Sequence, residues 1–483
     1  ILINPIFKKT CFLLNIEYTN ISMFLLFNPT KLKLVLIWAW WTGMSGVAGM
    51  LHDLWYSSII CIDANQSELT NKLKAKGLEV IIGHGKYKIQ PNDVVIYSEA
   101  TANSVEVLEA KEITKANRKN MIILNYFDFL WEISKYFTTI GITGTNGKSS
   151  TTALLLSTAK KHLDNLWLGI LWALVPELNN DNYHINPDKI AEIKNIFDYI
   201  FTWKWLDYSL IKKNTFILEA CEYKRHFLKI DLERWAITNI ELDHTDYYKD
   251  LADYNSAFQS FANKTKNKVF TTSNLDIKNV EKIKTNNFDF KYLLGKHNQE
   301  NWTLVFELIK QLNPKINTEK LKGTIENFKW LWRRLELLET TKNGSLLFSD
   351  YAHMASSINL WYHAIKEKYP NKKITAIFQP HQINRVLRER NEFWKALKLF
   401  DNVFIYNIYA ARENLAEQLE NFKHLNIQNA NTISEFWDLF AKNCGWKYIE
   451  NIEEIKKIIN NGNENDIFIV LSAWDIDFLL RKK

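Results

Sequence analysis

From residue 31 onward, short apolar runs alternate with stretches of helical spacing. KLKLVLI (31–37) has the length and composition of a buried strand, and GMSGVAGMLHDL (43–54) the spacing of the helix after it. SSIICID (57–63) predicts a second strand ending in Asp63, ELTNKLKAKG a helix stopped by Gly77, and LEVIIG and DVVIYSEA further strands. Strands separated by short helices imply a parallel sheet with crossover helices. An aspartate closing the second strand stands where a Rossmann-like nucleotide domain often meets a sugar hydroxyl.

The pattern restarts twice. FTTIGITGTNGKSSTTALLLSTA (137–159) reads as strand, glycine-rich loop and helix, and TFILEA and WAITNIELDH follow as strand-then-loop units. Beyond residue 329, SLLFSDYAH, KKITAIFQPH, NVFIYNIY and DIFIVLSA are apolar strands ending in polar residues, with helical spacing between them. The expectation is an α/β protein of three segments, 34–136, 137–328 and 329–483. In such sheets ligands bind outside the carboxyl ends of the strands, where these polar clusters fall.

One loop carries explicit chemistry. Gly144-Thr145-Asn146-Gly147-Lys148-Ser149-Ser150 follows the strand TTIGIT and opens a helix. Backbone N–H groups of such a loop, with the helix N-terminus, cradle phosphate oxygens. Lys148 supplies a cation for the β- and γ-phosphates, and the Ser149 hydroxyl suits Mg²⁺. The spacing is one residue off GxxxxGK[ST], with Ile142 in the first glycine's place.

ITGTNGKSS resembles the ATP loop of the Mur ligase family. ILEACEYKRHFL, ITNIELDHTDYY, LLGKHNQEN, LWRRLELL, SDYAH, IFQPHQINR and SAWDI follow in the family's order, so the resemblance spans about residues 34–480. It implies three domains: a Rossmann-like N-terminal domain for a UDP-sugar (34–136), a central P-loop ATPase domain (137–328) and a Rossmann-like C-terminal domain for an amino acid (329–483). It also implies a cytoplasmic, ATP- and Mg²⁺-dependent ligase of peptidoglycan synthesis, joining an amino acid, alanine first, to UDP-N-acetylmuramate through an acyl phosphate. A recycling ligase that adds a whole peptide, and a homologue that binds nucleotide without turnover, are the competing readings.

The resemblance assigns roles residue by residue. Glu219 and His244, each at a strand end, stand with Ser149 as Mg²⁺ ligands, and Glu222 and Asp243 as groups behind them. Taken singly, Glu219 also reads as a solvated strand end and His244 as a satisfied polar histidine. His297 and Asn298 fall beside the adenine, although Asn298 reads equally as a helix cap. Arg333, with Arg334, reaches toward the ATP phosphates or faces solvent as a pair. Asp350 belongs with the ribose or the metal's water shell and His353 with the incoming amino acid, while His381 and Arg385 match the family's residues in IFQPHQINR. Two departures stand out. Met354-Ala355 replaces the expected proline after His353, and Gln382 stands where an arginine fork for the substrate carboxylate is usual.

Composition changes this picture in two ways. The net charge of +7 is spread over 61 basic and 54 acidic residues with no dense basic block, which excludes a nucleic-acid footprint. Cys11, Cys61, Cys221 and Cys444 form no CxxC pair, which excludes a zinc ribbon or disulfide framework. No apolar run reaches the roughly 18 residues of a membrane span. Residues 1–33, patchy and with Met23 the first methionine, are expected to be an extension outside the native fold.

The second change concerns glycine. The chain has 15 Gly against 18 Trp, where average usage would give roughly 34 Gly. Trp38, Trp40 and Trp41 lie between the first strand and TGMSGVAGM, where a tight turn under a phosphate calls for glycine. Trp332 and Trp474 also fall at turns. These five are expected to be glycines in the native protein, encoded by UGA codons that its organism reads as glycine. For Trp394, Trp437 and Trp446 the pattern decides nothing. With glycine at 38, 40 and 41, residues 37–46 become a nucleotide-sugar loop of the family's kind.

Overall fold

The computed structural model describes residues 32–38, 42–117, 121–203, 205–231, 233–245, 247–290, 295–328, 333–408, 433–473 and 476–481. The excluded extension therefore lies outside the described residues except for Leu32 and Lys33, and Lys33 already opens the first strand. Trp40, Trp41, Trp332 and Trp474 also lie outside them.

Three sheets form where the three runs of apolar segments predict them. The first comprises β1 (Lys33–Trp38), β2 (Ile59–Asp63), β3 (Glu79–Ile82), β4 (Asp93–Tyr97) and β5 (Ile123–Asn125), in the order β3-β2-β1-β4-β5. Every pairing in it is parallel. β1 and β2 are almost wholly buried because helices cover both faces, which is why they read as continuous apolar runs. Helix α1 (Thr42–Asp53) follows β1, and α2 (Glu68–Ala75) follows β2.

The second sheet comprises β6 (Thr138–Thr143), β7 (Leu166–Val175), β8 (Asp181–Ile185), β9 (Thr215–Glu219), β10 (Arg234–Ile237), β11 (Val269–Thr271) and β12 (Glu281–Lys282). Its order is β12-β11-β10-β6-β9-β7-β8. β6 lies centrally, parallel to β10 on one side and β9 on the other, so their carboxyl ends open together. Helix α3 (Lys148–His162) follows β6, and α4 (Ile190–Thr202) follows β8. Helix α1 lies against β8, where Asn182 Nδ2 donates to the Thr42 carbonyl at 2.6 Å. One apolar core runs beneath both sheets, from Leu36 and Met50 to Phe197, Phe216 and Phe258.

The third sheet comprises β13 (Glu336–Thr340), β14 (Leu346–Asp350), β15 (Lys373–Gln379), β16 (Asn402–Tyr406), β17 (Lys447–Ile449) and β18 (Asp466–Ser472), in the order β13-β14-β18-β15-β16-β17. It is parallel apart from the antiparallel edge strand β13. Helix α5 (Lys296–Leu312) precedes it, and α6 (Ile433–Cys444) leads into β17.

The chain divides into two compact units. The first holds residues 1–173, 181–270 and 275–281, and the second holds 282–483 with 174–180 and 271–274. Among the described residues no helix is long and apolar enough to cross a membrane. Cys61, Cys221 and Cys444 are free thiols.

Candidate active site

In the first unit, β6 ends in the loop 144–147. Gly144 has φ +132°, and a Cβ there would lie 2.2 Å from Thr238 Oγ1 and 2.9 Å from the Asn239 carbonyl. Gly147, at φ +80°, turns the chain into α3. Both positions therefore require glycine. The NIELDH stretch after β10 clamps the loop from beside it. Asn146 N donates to Asn239 Oδ1 at 2.9 Å, Thr145 N to the Asn239 carbonyl at 2.9 Å, and Thr145 Oγ1 to the Glu241 carbonyl at 2.9 Å. Thr238 Oγ1 donates back to the Asn146 carbonyl at 2.6 Å. With the loop's backbone held this way, the free N–H groups of the first turn of α3, which includes the half-buried Ser150, form an anion seat.

Two carboxylates meet the first turn of α3. Lys148 Nζ donates to the Gly144 carbonyl at 2.6 Å and to the Thr145 carbonyl at 3.0 Å, and it pairs with Glu222 at 3.0 Å. Glu222 is buried and also accepts from Tyr254 Oη at 3.2 Å, while Tyr254 lies 3.0 Å from Thr145 Oγ1. Burial on its own would push the Lys148 ammonium down, but the carboxylates of Glu222 and Glu219 more than offset it and hold Lys148 above its ordinary range.

Ser149 Oγ donates to Glu219 Oε1 at 2.9 Å, and Trp172 N donates to Glu219 Oε2 at 3.1 Å. This is an oxygen pair of the kind a hard divalent cation takes. His244 is at φ +52°, with Nε2 3.6 Å from Glu222 Oε1 and 3.9 Å from Asp243 Oδ2. Among the described residues no group of three or more His, Cys, Asp and Glu converges into a cage made by the protein alone. A cation held by Ser149 and Glu219, with the nearby His244 as the third protein ligand the family resemblance implies, would take its remaining ligands from water and phosphate, as Mg²⁺ commonly does. The donor set fits that ion.

In the second unit, His297 lies in the first turn of α5 and is half-buried, and its desolvation pushes its pKa down to about 4 and keeps the ring neutral. A neutral imidazole can both donate and accept along its edge. Its ring stands edge-on to Trp361 at 4.7 Å, and the Trp361 side chain in turn bonds Asp350. Asn298 is buried one residue on, its N–H donating to the Gly295 carbonyl at 3.1 Å. Asp350 closes β14, accepting from Leu335 N and Ala352 N at 2.7 Å each. Burial pushes its carboxyl up to about 6 in spite of the nearby Arg334.

Arg333 is buried, with Nη2 donating to the Ser472 carbonyl at 2.5 Å and Nε 3.5 Å from Asp477. Its guanidinium and that of Arg334 both lie over the Tyr351 ring at 5.1 Å. The ring of His353 stands 5.7 Å from that of His381, edge to face. Arg385 is buried on the helix that follows, and Gln382 caps that helix at φ +66°.

Gly144 to Ser150, Glu219 and His244 thus lie in the first unit, and His297, Asn298, Arg333, Asp350, His353 and Arg385 in the second. The sequence reading gave no role to Tyr254, which joins the loop to Glu222, or to Trp361, which links His297 to Asp350. Nothing in the spacing of either residue marks it.

Residues 142–326 match the Mur ligase middle domain. The chain is 30% identical to UDP-N-acetylmuramate–L-alanine ligase of Clostridium botulinum, over 90% of this chain and 94% of that protein. It is 29% identical to the protein of the same name from Lactiplantibacillus plantarum, over 77% of this chain and 84% of the other. The fold is similar to the crystal structure of UDP-N-acetylmuramate–alanine ligase from Thermotoga maritima, with TM-score 0.67 and 22% identity over 92% of this chain and 96% of that one. It is also similar to a murein peptide ligase from Psychrobacter arcticus, with TM-score 0.61 and 16% identity over 93% and 97%. By its phosphate loop, its ordered motifs and this near full-length likeness, the chain belongs to the Mur ligase family of ATP-dependent, amide-forming ligases.

Proposed function

We propose that this protein joins L-alanine to the carboxylate of UDP-N-acetylmuramate at the expense of ATP, in the cytoplasm, as a step of peptidoglycan precursor synthesis. The observation that carries the reading is the Lys148–Glu222 and Ser149–Glu219 arrangement on a clamped phosphate loop. It occurs in a chain that aligns over nine-tenths of its length with a relative of that name. The γ-phosphoryl group passes to the muramate carboxylate and ADP leaves. The alanine amine then attacks the acyl carbon, inorganic phosphate departs, and the amine's proton goes to solvent or a nearby base.

In this reading the loop Gly144, Thr145, Asn146, Gly147, Lys148, Ser149 and Ser150 holds the triphosphate, and Mg²⁺ is held by Ser149, Glu219 and His244. When bound, that ion neutralises charge on the phosphates being transferred. His297 and Asn298 serve the adenine, Asp350 the ribose and Arg333 the phosphates. His353 and Arg385 orient the amino acid. The three domains are 34–136, 137–328 and 329–483. Gln382 in place of an arginine leaves glycine and serine as competing acceptors.

A phosphate-release assay with ATP, Mg²⁺ and UDP-N-acetylmuramate across the twenty amino acids tests this. Release is expected with alanine and only when all components are present. Release supported by a preformed peptide and by no single amino acid would overturn the reading, as would no release at all from protein carrying glycine at the suspect tryptophans.

A further inference from the structure

Among the described residues, four α-helix ends are closed by a residue in the left-handed region. At α2, Gly77 has φ +93°, its N–H donates to the Lys74 carbonyl at 2.9 Å, and Leu78 N donates to the Leu73 carbonyl at 3.1 Å. At α6, Gly445 has φ +75°, with bonds to Lys442 at 3.1 Å and from Trp446 to Ala441 at 2.8 Å. The same double bond closes α1. Trp55 N donates to the His52 carbonyl at 2.9 Å and Tyr56 N to the Leu51 carbonyl at 3.2 Å, but the left-handed residue is Trp55, at φ +64°. At α4 it is Trp203, at φ +53°, with its N–H on the Tyr199 carbonyl at 2.8 Å.

This cap is a glycine position because any Cβ crowds its own backbone there. The indole gains little in exchange, since Trp55 is 64% exposed and Trp203, 48% exposed, keeps an edge-on ring contact with Tyr199 at 5.7 Å. General tolerance of aromatics does not explain it. The chain has 28 Phe and 20 Tyr, and none of those described has positive φ. Among the described Phe, Tyr and Trp residues, only tryptophan enters this region.

We infer that glycine, not tryptophan, stands at positions 55 and 203 of the native protein. A single codon read as glycine accounts for both caps, for the scarcity of glycine, and for the tryptophans at 38, 40, 41, 332 and 474. The backbone supplies a test of that expectation which composition alone did not. This inference stands whether or not the proposed reaction is the right one.

Peptide mass spectrometry on the protein purified from its own cells decides it. Residue masses of glycine at 55 and 203 are expected, and the mass of tryptophan at either overturns the inference. An independent check uses recombinant protein and thermal unfolding followed by circular dichroism. Trp55→Gly and Trp203→Gly should each raise the midpoint, by about 1–2 °C for relief of one left-handed non-glycine residue. Trp394→Gly, inside the helix Arg390–Leu397, should lower it. A fall at 55 and 203 comparable to that at 394 would also sink the proposal.

Discussion

A lysine in a phosphate loop is ordinarily replaced without harm to the fold, because it faces solvent until nucleotide arrives. Lys148 is different. Its side chain is 13% exposed and that of its partner Glu222 only 1%, with the ammonium 3.0 Å from the carboxylate. Lys148→Met keeps the aliphatic stem and removes the charge. Glu222 is then left with Tyr254 Oη at 3.2 Å and with His244 Nε2 at 3.6 Å, beyond hydrogen-bond reach. Removing one partner of a buried pair costs about 3–5 kcal/mol, mostly from the stranded charge. The Tyr254 bond places this case near the lower end, about 3 kcal/mol. Urea unfolding should register that loss, while phosphate release falls by at least about 10²–10³-fold. The double variant Lys148→Met/Glu222→Gln separates the two effects. The amide strands no charge and still accepts from Tyr254, so stability should return to within about 1 kcal/mol of the parent while activity stays lost. If Lys148→Met were as stable as the parent, or the double variant no better than the single, the pair would not carry the role assigned to it.

Three further outcomes follow from the same geometry. The Asp350 carboxyl sits at about 6 in the folded chain against an ordinary 3.8. A raised carboxylate value means the folded state holds the extra proton, so its stabilising contribution is complete below about pH 4 and is lost as pH rises through 6. Asp350→Asn should abolish that decline, worth roughly 2–3 kcal/mol at about 1.4 kcal/mol per pKa unit, and a parent with no such slope in urea titrations would contradict it. Ser149→Ala removes the donor that orients Glu219 and a candidate cation ligand, and should raise the Mg²⁺ concentration for half-maximal activity about 10–100-fold. An unchanged requirement would exclude Ser149 from the metal site. Gln382→Arg adds a guanidinium fork at a position already in a non-standard backbone region, and should lower KM for the amino acid and leave that for ATP alone. Parallel movement of both constants would remove Gln382 from the amino-acid pocket.

What the sequence by itself determined was whatever depends on residues close together in the chain. The runs KLKLVLI, TTIGIT and DIFIVLSA became β1, β6 and β18 because a strand buried on both faces needs only an unbroken apolar stretch. The loop Gly144 to Ser149 was legible because two glycines at that spacing, between a strand and a helix, leave the backbone few alternatives. The strand LWLGILWALV, an unbroken apolar run of the same kind, was not marked, and neither was the short edge strand β13, whose residues are half-buried or exposed. Tertiary structure alone decided the partners. Lys148 meets Glu222, Asn146 meets Asn239, and Arg333 meets Ser472 and Asp477, all through side chains that strand order brings together from distant parts of the chain. It also turned Lys148 from a solvent-facing cation into half of a buried pair, and burial lifted the Asp350 carboxyl. The left-handed caps at Trp55 and Trp203 belong to the same class. Composition and position in the chain pointed to five sites, but only the folded backbone, whose sign of φ is set by the packing on either side of a helix end, marked positions 55 and 203.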